Sequence, residues 1–363
     1  MSRSPDHPMT HGYRMPAEWE PHAATWIAWP HNTTDWPGKF AAIPWAYAEI
    51  VRHLAAVERV EILVNDAGAE ARARRVLEQA NAQLGPVRFH RWPTNRGWTR
   101  DCGPIFLARK GRARRGLPRL ALTNWRFHGW AKYPDWLKDN AVPDRVRRLL
   151  RLRAWRPIAT VNGKRRPVVL EGGSLDVNGH GTLMTTEECL LSTVQQRNPG
   201  MDRADIERAL RNYLGIHKVL WLGGGIVGDD THGHVDDIAR FVGPRTVVAA
   251  VERDPADPNH APLADNLRRL RSATDQDSRR LRVVPLPMPG PIVFRGRRLP
   301  ASYANFYIAN RLVLVPTFND ANDRVALNIL ASLFPDRRVV GIYCGDFIWG
   351  FGAVHCMTQQ QPA

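Results

Sequence analysis

The sequence predicts one closed α/β domain, and three observations predict it. Short β-type runs alternate with amphipathic helical stretches from residue 23 to near the C-terminus. No Pro/Gly/Ser-rich linker divides the 363 residues; the Pro-rich stretch 285–291 is short and lies between strands. The composition, 44% hydrophobic and 24% charged, is that of a globular chain long enough to bury a core without staples. Global disorder, a collagen helix and a disulfide scaffold are thereby excluded. Four cysteines suit a reducing compartment, with one thiol reactive and the others packed. Residues 1–14 read as a flexible tail and 15–363 as the domain. The first residues contain Arg3, His7, His11 and Arg14 and no apolar h-region. No stretch approaches the ~20 apolar residues needed to span a bilayer, so a soluble cytoplasmic protein is expected.

Residues 23–29 (AATWIAW) read as the first strand, closed by Pro30 and a polar turn at 31–35. Residues 43–57 space their apolar side chains as an amphipathic helix, and 60–64 (VEILV) follow as a strand. An Ala/Arg/Glu-rich helix over 67–84 leads to a strand at 87–92, stopped by Pro93. Strands at 104–107 and 119–125 flank a basic turn at 109–118. A helix over 144–151 precedes the apolar run 168–170, which enters Glu171-Gly172-Gly173. Strands at 181–185 and 219–222 enclose a helix at 201–214. Strands at 238–242 and 246–251 precede a helix at 257–273 and a strand at 281–285. Strands at 303–308, 312–315 and 339–342, with a helix at 323–333, complete the pattern. No repeat is visible in residue identity.

The chain carries 51 Lys+Arg against 35 Asp+Glu, a net charge of +16, most of it arginine. Such a balance invites an anionic partner, nucleic acid or a membrane surface. The basic runs at 109–119 and 145–156 have no accompanying nucleic-acid motif, and the second has helical spacing. Solvated faces are the better reading, with salt-sensitive stickiness to polyanions and no specific nucleic-acid or membrane partner.

Four segments set glycine beside ionisable residues, as sites at strand ends often do. They are Trp98-Thr99-Arg100-Asp101-Cys102-Gly103-Pro104, Glu171-Gly172-Gly173-Ser174-Leu175-Asp176, Gly228 to Asp237, and Gly350 to Gln360. Taken singly each is weak. Asp101 could cap a turn, and Glu171 could pair with any arginine. His232 and His234, at i and i+2, would share one face of a strand, but Zn²⁺ needs three or four ligands and no Cys or His spacing completes a site. No metal and no organic cofactor are expected. A lone Cys356 is more often a small buried hydrophobe than a nucleophile.

Together the motifs are specific. Met15-Pro-Ala-Glu-Trp-Glu-Pro-His22, Thr25-Trp-Ile-Ala-Trp-Pro30 and Trp98 to Pro104 resemble the agmatine deiminases. So do Leu170-Glu-Gly-Gly-Ser174, Gly181 to Leu190, Gly233-His-Val-Asp-Asp237, Ala301 to Tyr307 and His355-Cys-Met-Thr-Gln-Gln360. The likeness runs in order from about Met15 to the C-terminus. It implies the guanidine-modifying fold, a five-bladed α/β propeller (pentein) of ββαβ units with pseudo-fivefold symmetry. It also implies hydrolytic deimination of agmatine to N-carbamoylputrescine and ammonia, in putrescine synthesis from arginine, by a homodimer or larger assembly.

The residue chemistry agrees with that resemblance. A guanidinium is planar, cationic and rich in N–H donors, so two carboxylates can clamp it before a nucleophile. By resemblance Asp101 and Asp236 are the clamp, Cys356 the attacking thiolate, His234 the general acid and base, and Glu171 the group that holds and tunes His234 or its neighbouring substrate nitrogen. Substrate contacts fall to Trp98, Asp101, Asp236, Asp230, His128 and Gly352, and Asp229, Asp230 and Asp237 are candidates for an acidic mouth. Cys102, Cys189 and Cys344 read as packed thiols, Cys102 pointing away from Asp101 on an alternating strand. The chain departs from the family at Phe351 and Ala353, where Gly-Gly-Gly-Asn is usual, at His128 in place of Asn, and at Asn140 in place of an acid. These changes bear on which guanidine is taken more than on the reaction. The alternatives are a deiminase of arginine, peptidyl-arginine or a modified guanidine, a Cys-His amide hydrolase, and a nucleic-acid-binding protein reusing the fold.

Overall fold

The computed structural model describes residues 6–109, 111 and 117–363; the basic turn expected at 109–118 falls mostly outside them. Five sheets of three or four strands share one recipe among the described residues: an antiparallel pair, a helix, then a strand parallel to the second of the pair. The first sheet joins the two ends of the chain. Thr358–Pro362 lies antiparallel to His22–Ala28, helix Ile43–Ala55 follows, and Arg59–Val64 and Val87–Arg91 add in parallel. In the second, Ile105–Arg109 pairs with Leu120–Thr123, and helix Val142–Leu150 leads to Arg153–Trp155. The third runs Asp176–Val177, Thr182–Thr186, helix Arg203–Leu214, Lys218–Leu222. The fourth runs Ala239–Gly243, Thr246–Val251, helix His260–Ser272, Arg282–Pro287. The fifth runs Tyr307–Ala309, Leu312–Thr317, helix Asn322–Leu333, Arg338–Tyr343.

Local sequence explains the recipe. The second strand of each pair is buried on both faces, so it reads as a continuous run rather than an alternation; all five residues of Thr182–Thr186 are buried. Helix Arg203–Leu214 shows how the crossovers are fixed. Asp202 and Asp205 form a reciprocal capping box, Gly215 ends the helix at φ 70°, and Ile206, Ala209, Leu210, Tyr213 and Leu214 make the inward stripe. Each fully buried Leu or Ile of such a stripe contributes about 1.5–3 kcal/mol.

Most expected elements stand, with shifts of a few residues at their ends. Four readings are corrected. Of the residues read as a tail, those from Asp6 onward are held: Pro8–His11 forms a helical turn, and Tyr13–Arg14 pairs with Arg109 and Ala108 because Tyr13 packs on Trp155. The strand expected at 303–308 is only Tyr307–Ala309, since the Ser302 hydroxyl accepts from Ala304 N–H and holds a turn. Thr358–Pro362, not expected as a strand, is fully buried. Cys102 lies on the helical turn Thr99–Cys102 rather than on a strand, and its thiol joins the apolar core. Among the described residues no helix is long and apolar enough to cross a membrane.

Candidate active site

Each sheet sends one segment into the site, immediately before its first strand. The turn Thr99–Cys102 carries Asp101 ahead of Ile105–Arg109. Glu171 and the turn Gly172–Ser174 precede Asp176–Val177. His234 and the turn Val235–Asp237 precede Ala239–Gly243. Asn305 precedes Tyr307–Ala309, and Cys356 precedes Thr358–Pro362. Residues more than 250 positions apart in sequence thus converge on one cavity of about 200 Å³. Asp101, Trp98, Trp130, Phe351 and Gly352 line it together with Cys356.

Asp101 is held on both oxygens: Gly173 N–H donates to Oδ1 at 2.9 Å and Trp130 Nε1 to Oδ2 at 2.8 Å. Asp236 Oδ2 bonds His355 Nδ1 at 2.6 Å and lies 3.7 Å from Cys356 Sγ, while its Oδ1 is buried without a hydrogen-bond partner among the described residues. His234 stands between the two carboxylates. Its Nδ1 is 3.8 Å from Asp101 Oδ1 and 4.0 Å from Asp236 Oδ1, and its Nε2 is 3.6 Å from Glu171 Oε2. Among the described residues neither ring nitrogen has a hydrogen-bond partner. Gly173 makes this convergence possible: a Cβ there would sit 2.6 Å from His234 Nδ1, 2.9 Å from Asp101 Oδ1 and 3.1 Å from Asp236 Oδ2. Gly352 plays the same part beside Cys356, where a Cβ would come within 2.8 Å of Trp98 Cζ3 and 3.2 Å of Cys356 Sγ.

The electrostatics follow from burial and these neighbours. Burial, with the carboxylates of Asp236, Asp237 and Asp101, pushes the Cys356 thiol well above its ordinary range, and Asn305 works weakly the other way. Burial opposes a charged His234, but Asp101, Glu171 and Cys189 outweigh it and hold the imidazole well above the ordinary 6.5. Asp101 is raised, chiefly by burial. Asp236 is lowered: burial opposes this, and His355, His234 and Arg240 prevail. Glu171 is lowered to about 2 despite its burial, with Arg197 the largest favourable cause.

The expected residues Cys356, His234, Asp101, Asp236, Glu171, Trp98, Gly352 and Asp230 are brought together, though not all on the cavity wall. Asp236, His234 and Glu171 lie behind Asp101 and Cys356. His128 is not on that wall: its Nδ1 accepts from Ala131 N–H and caps the turn at 129–131. Asn140 braces Phe127 N–H instead. Of the three acids expected at the mouth only Asp230 is there. Asp229 accepts from the N–H groups of Thr231, Gly233 and His234 and shapes their loop, and Asp237 is buried against Asn305. His232 is not on a strand; it has φ 64° and bonds Ser192.

Several residues went unrecognised. Arg197 donates from Nε to both Glu171 oxygens, at 3.2 and 3.3 Å, with both side chains fully buried. Asn305 donates to Asp237 Oδ1 at 2.9 Å and to Cys356 Sγ at 3.1 Å, and its Oδ1 accepts from His355 N–H. His355 Nε2 reaches Glu18 Oε2 at 2.7 Å, and Glu18 in turn meets Arg100 and Arg240. The motifs at 15–22 and 301–307 contain Glu18 and Asn305 and were the available signal. Cys189, read as core, is buried but stands behind His234 and Glu171, with all three donor atoms within 4.8 Å of one another. Arg197 already supplies the positive charge on Glu171.

The Cys356 thiol, the His234 imidazole and the carboxylates of Asp101 and Asp236 stand together at one end of the cavity, an arrangement that can carry thiol chemistry on a planar cation. Residues 14–362 match the Porphyromonas-type peptidyl-arginine deiminase family, and the chain belongs to it. It is 35% identical to the agmatine deiminase of Pseudomonas aeruginosa over 386 aligned residues, covering 100% of this chain and 99% of that one. The structure of the agmatine deiminase of Enterococcus faecalis superposes with a TM-score of 0.88 at 31% identity, covering 99% and 98% of the two chains. A cysteine-to-serine variant of the Campylobacter jejuni agmatine deiminase, with substrate bound, superposes with a TM-score of 0.82 at 25% identity, covering 97% and 96%.

Proposed function

We propose that this protein hydrolyses agmatine to N-carbamoylputrescine and ammonia, through a covalent intermediate on Cys356. The observation that carries the reading is the placement of His234 between two buried carboxylates, Asp101 and Asp236, with Cys356 Sγ 3.7 Å from Asp236 and lining the same cavity as Asp101. The guanidinium enters with Asp101 and the open Oδ1 of Asp236 accepting its N–H groups. Its charge favours the thiolate, the thiol proton passes to solvent as the guanidinium binds, and Sγ attacks the guanidinium carbon. The tetrahedral adduct breaks one C–N bond, ammonia leaves with a proton from His234, and a thiouronium remains on Cys356. His234 then takes one proton from water as the resulting hydroxide adds to the same carbon; the C–S bond breaks with its electron pair returning to sulfur, the remaining hydroxyl proton passes to the released ammonia, and the neutral ureido product departs. Glu171, held by Arg197, keeps His234 oriented and charged at the start of this cycle.

The five sheets of one recipe, each delivering one segment to the site, support a five-bladed propeller with pseudo-fivefold symmetry. The relatives named agmatine deiminases support agmatine over arginine or peptidyl-arginine, and a place in putrescine synthesis follows from that substrate. We further place the protein in the cytoplasm as a homodimer, in keeping with four free thiols. The test is ureido formation and ammonia release on agmatine, free arginine and a blocked arginine peptide, with Cys356→Ala alongside. Turnover of agmatine that vanishes in Cys356→Ala is expected. Turnover retained in that variant rules out thiolate catalysis, and activity on another guanidine alone reassigns the substrate.

A further inference from the structure

We propose that the Asn305 carboxamide is a catalytic hydrogen-bond donor to the Cys356 sulfur, holding negative charge there when the thiolate forms and again when the C–S bond breaks. Its part in turnover rests on the deiminase reading above. Asn305 and Cys356 are both buried, and Asn305 Nδ2 stands 3.1 Å from Sγ. A primary amide has two N–H donors. One goes to Asp237 Oδ1 at 2.9 Å and the other to the sulfur. The amide oxygen accepts from the backbone N–H of His355 at 3.0 Å and of Cys356 at 3.4 Å. This set of partners fixes which way the amide faces. Turned over, its oxygen would meet a carboxylate and the sulfur, and its N–H groups would meet two backbone donors.

The turn that carries Asn305 is itself held in place. Ser302 Oγ donates to Asp237 O at 2.6 Å and accepts from Ala304 N–H at 3.1 Å. Arg240 Nη1 donates to Phe306 O at 2.6 Å, and Asn305 O accepts from His355 N–H at 3.1 Å. The donor is therefore aimed at the sulfur on folding, with no reorientation left for the reaction itself. The need for it is electrostatic. Asp236 Oδ2 lies 3.7 Å from Sγ, and one oxygen each of Asp236 and Asp237 lies with Sγ in a group no more than 4.8 Å apart. In the resting site the thiol points its proton at Asp236 Oδ2 and accepts from Asn305. Once that proton leaves, the Asp236 contact turns repulsive and the Asn305 contact becomes charge-assisted. Burial and the carboxylates of Asp236, Asp237 and Asp101 favour the thiol, and the Asn305 hydrogen bond favours the thiolate. When the C–S bond breaks, its electron pair returns to sulfur, and the same N–H receives that charge.

The test follows alkylation of Cys356 by iodoacetamide, at one fixed pH below the thiol's range, by mass spectrometry of the peptide that bears it. It compares the wild type with Asn305→Leu, Asn305→Asp and Ser302→Ala, each checked for fold by circular dichroism. Asn305→Leu keeps the volume and removes the donor. Asn305→Asp removes the donor but keeps an oxygen for the His355 N–H. Ser302→Ala loosens the same turn without touching the sulfur. A hydrogen bond to a charged acceptor moves the thiol by roughly one to two pKa units. A more basic thiolate is also the better nucleophile, so alkylation should fall by at least about threefold in both Asn305 variants. Their kcat/KM for agmatine should fall by at least about tenfold. Ser302→Ala should alkylate within about twofold of the wild type, its hydroxyl having no contact with the charge. Wild-type alkylation in either folded Asn305 variant overturns the assignment. An equal loss in Ser302→Ala overturns it as well, since the position of the turn would then be the cause. Ureido formation absent from the wild type refutes the deiminase reading alone, because the alkylation rates still decide the Asn305 donor.

Discussion

Replacing Arg197 with Met removes the charge that holds Glu171 ionised in a fully buried pocket. A fall in the Glu171 pKa from the ordinary 4.5 to about 2 corresponds to roughly 3 kcal/mol at about 1.36 kcal/mol per unit. Because the folded pKa is depressed, that stability is present above about 4.5 and is lost as pH falls through about 2. At pH 7 it is fully present. Arg197→Met should therefore lose about 3–5 kcal/mol there, since an unpaired carboxylate stays buried. Urea unfolding at pH 7 reads this directly. The pair Arg197→Met/Glu171→Gln leaves no orphan charge and should recover at least about half of the loss. Its ureido formation should nonetheless stay at least about a hundredfold down, because His234 no longer has an anionic partner at Nε2. A single variant within about 1 kcal/mol of the wild type, or a double variant no more stable than the single, would refute the argument that Arg197 holds this corner of the site by charge.

Two further outcomes follow from the geometry. Gly173→Ala should stay folded by circular dichroism but lose at least about a hundredfold in kcat, because its Cβ would displace His234 or a clamp carboxylate; wild-type kinetics in that variant would show that the three groups do not need their present spacing. His355→Gln should weaken the hold on Asp236 and let its pKa rise, so the acid limb of the kcat/KM profile should move to higher pH, and an unmoved limb would show that His355 does not tune the clamp.

Asp101, Glu171, His234, Asp236 and Cys356 were legible through the ordered motifs that resemble the agmatine deiminases; each lies in a short segment that combines glycine with an ionisable group, a signal weak by itself. Chemistry and close backbone approach are both local signals. The partners of those residues were not legible, because they are ion pairs across the fold. Arg197 meets Glu171 from 26 positions away, Glu18 meets His355 from 337, and Arg240 meets Asp176 from 64. Nothing local distinguishes these arginines from the many others in a chain of net charge +16. The crossovers were legible from apolar spacing, as in Arg203–Leu214. The closing strand Thr358–Pro362 was not, because its buried residues are glutamines. Gln361 accepts from Trp26 Nε1 at 3.0 Å and Gln360 from Arg100 Nη1 at 2.7 Å, so hydrogen bonds satisfy a core position that hydrophobic patterning cannot register.

The same arginines bear on how the site tells cations from neutral groups. Arg240, Arg100 and Arg197 are buried as counter-ions to Glu18, Asp176 and Glu171, which leaves Asp101, Asp236 and Asp237 as the charges nearest Cys356. Those three carboxylates and burial keep the resting thiol protonated. A cation about 4 Å from the sulfur, at an effective dielectric near 20, favours the thiolate by about 4 kcal/mol, or roughly three pKa units. A guanidinium seated between Asp101 and Asp236 brings that charge with it, whereas a neutral amide brings none and meets an unreactive thiol. The acids that would disfavour a Cys-His amide hydrolase are, on the deiminase reading, what makes the nucleophile conditional on its substrate. Three of the arginines are thus internal and balanced by buried acids, and the net charge of +16 lies on the other basic residues.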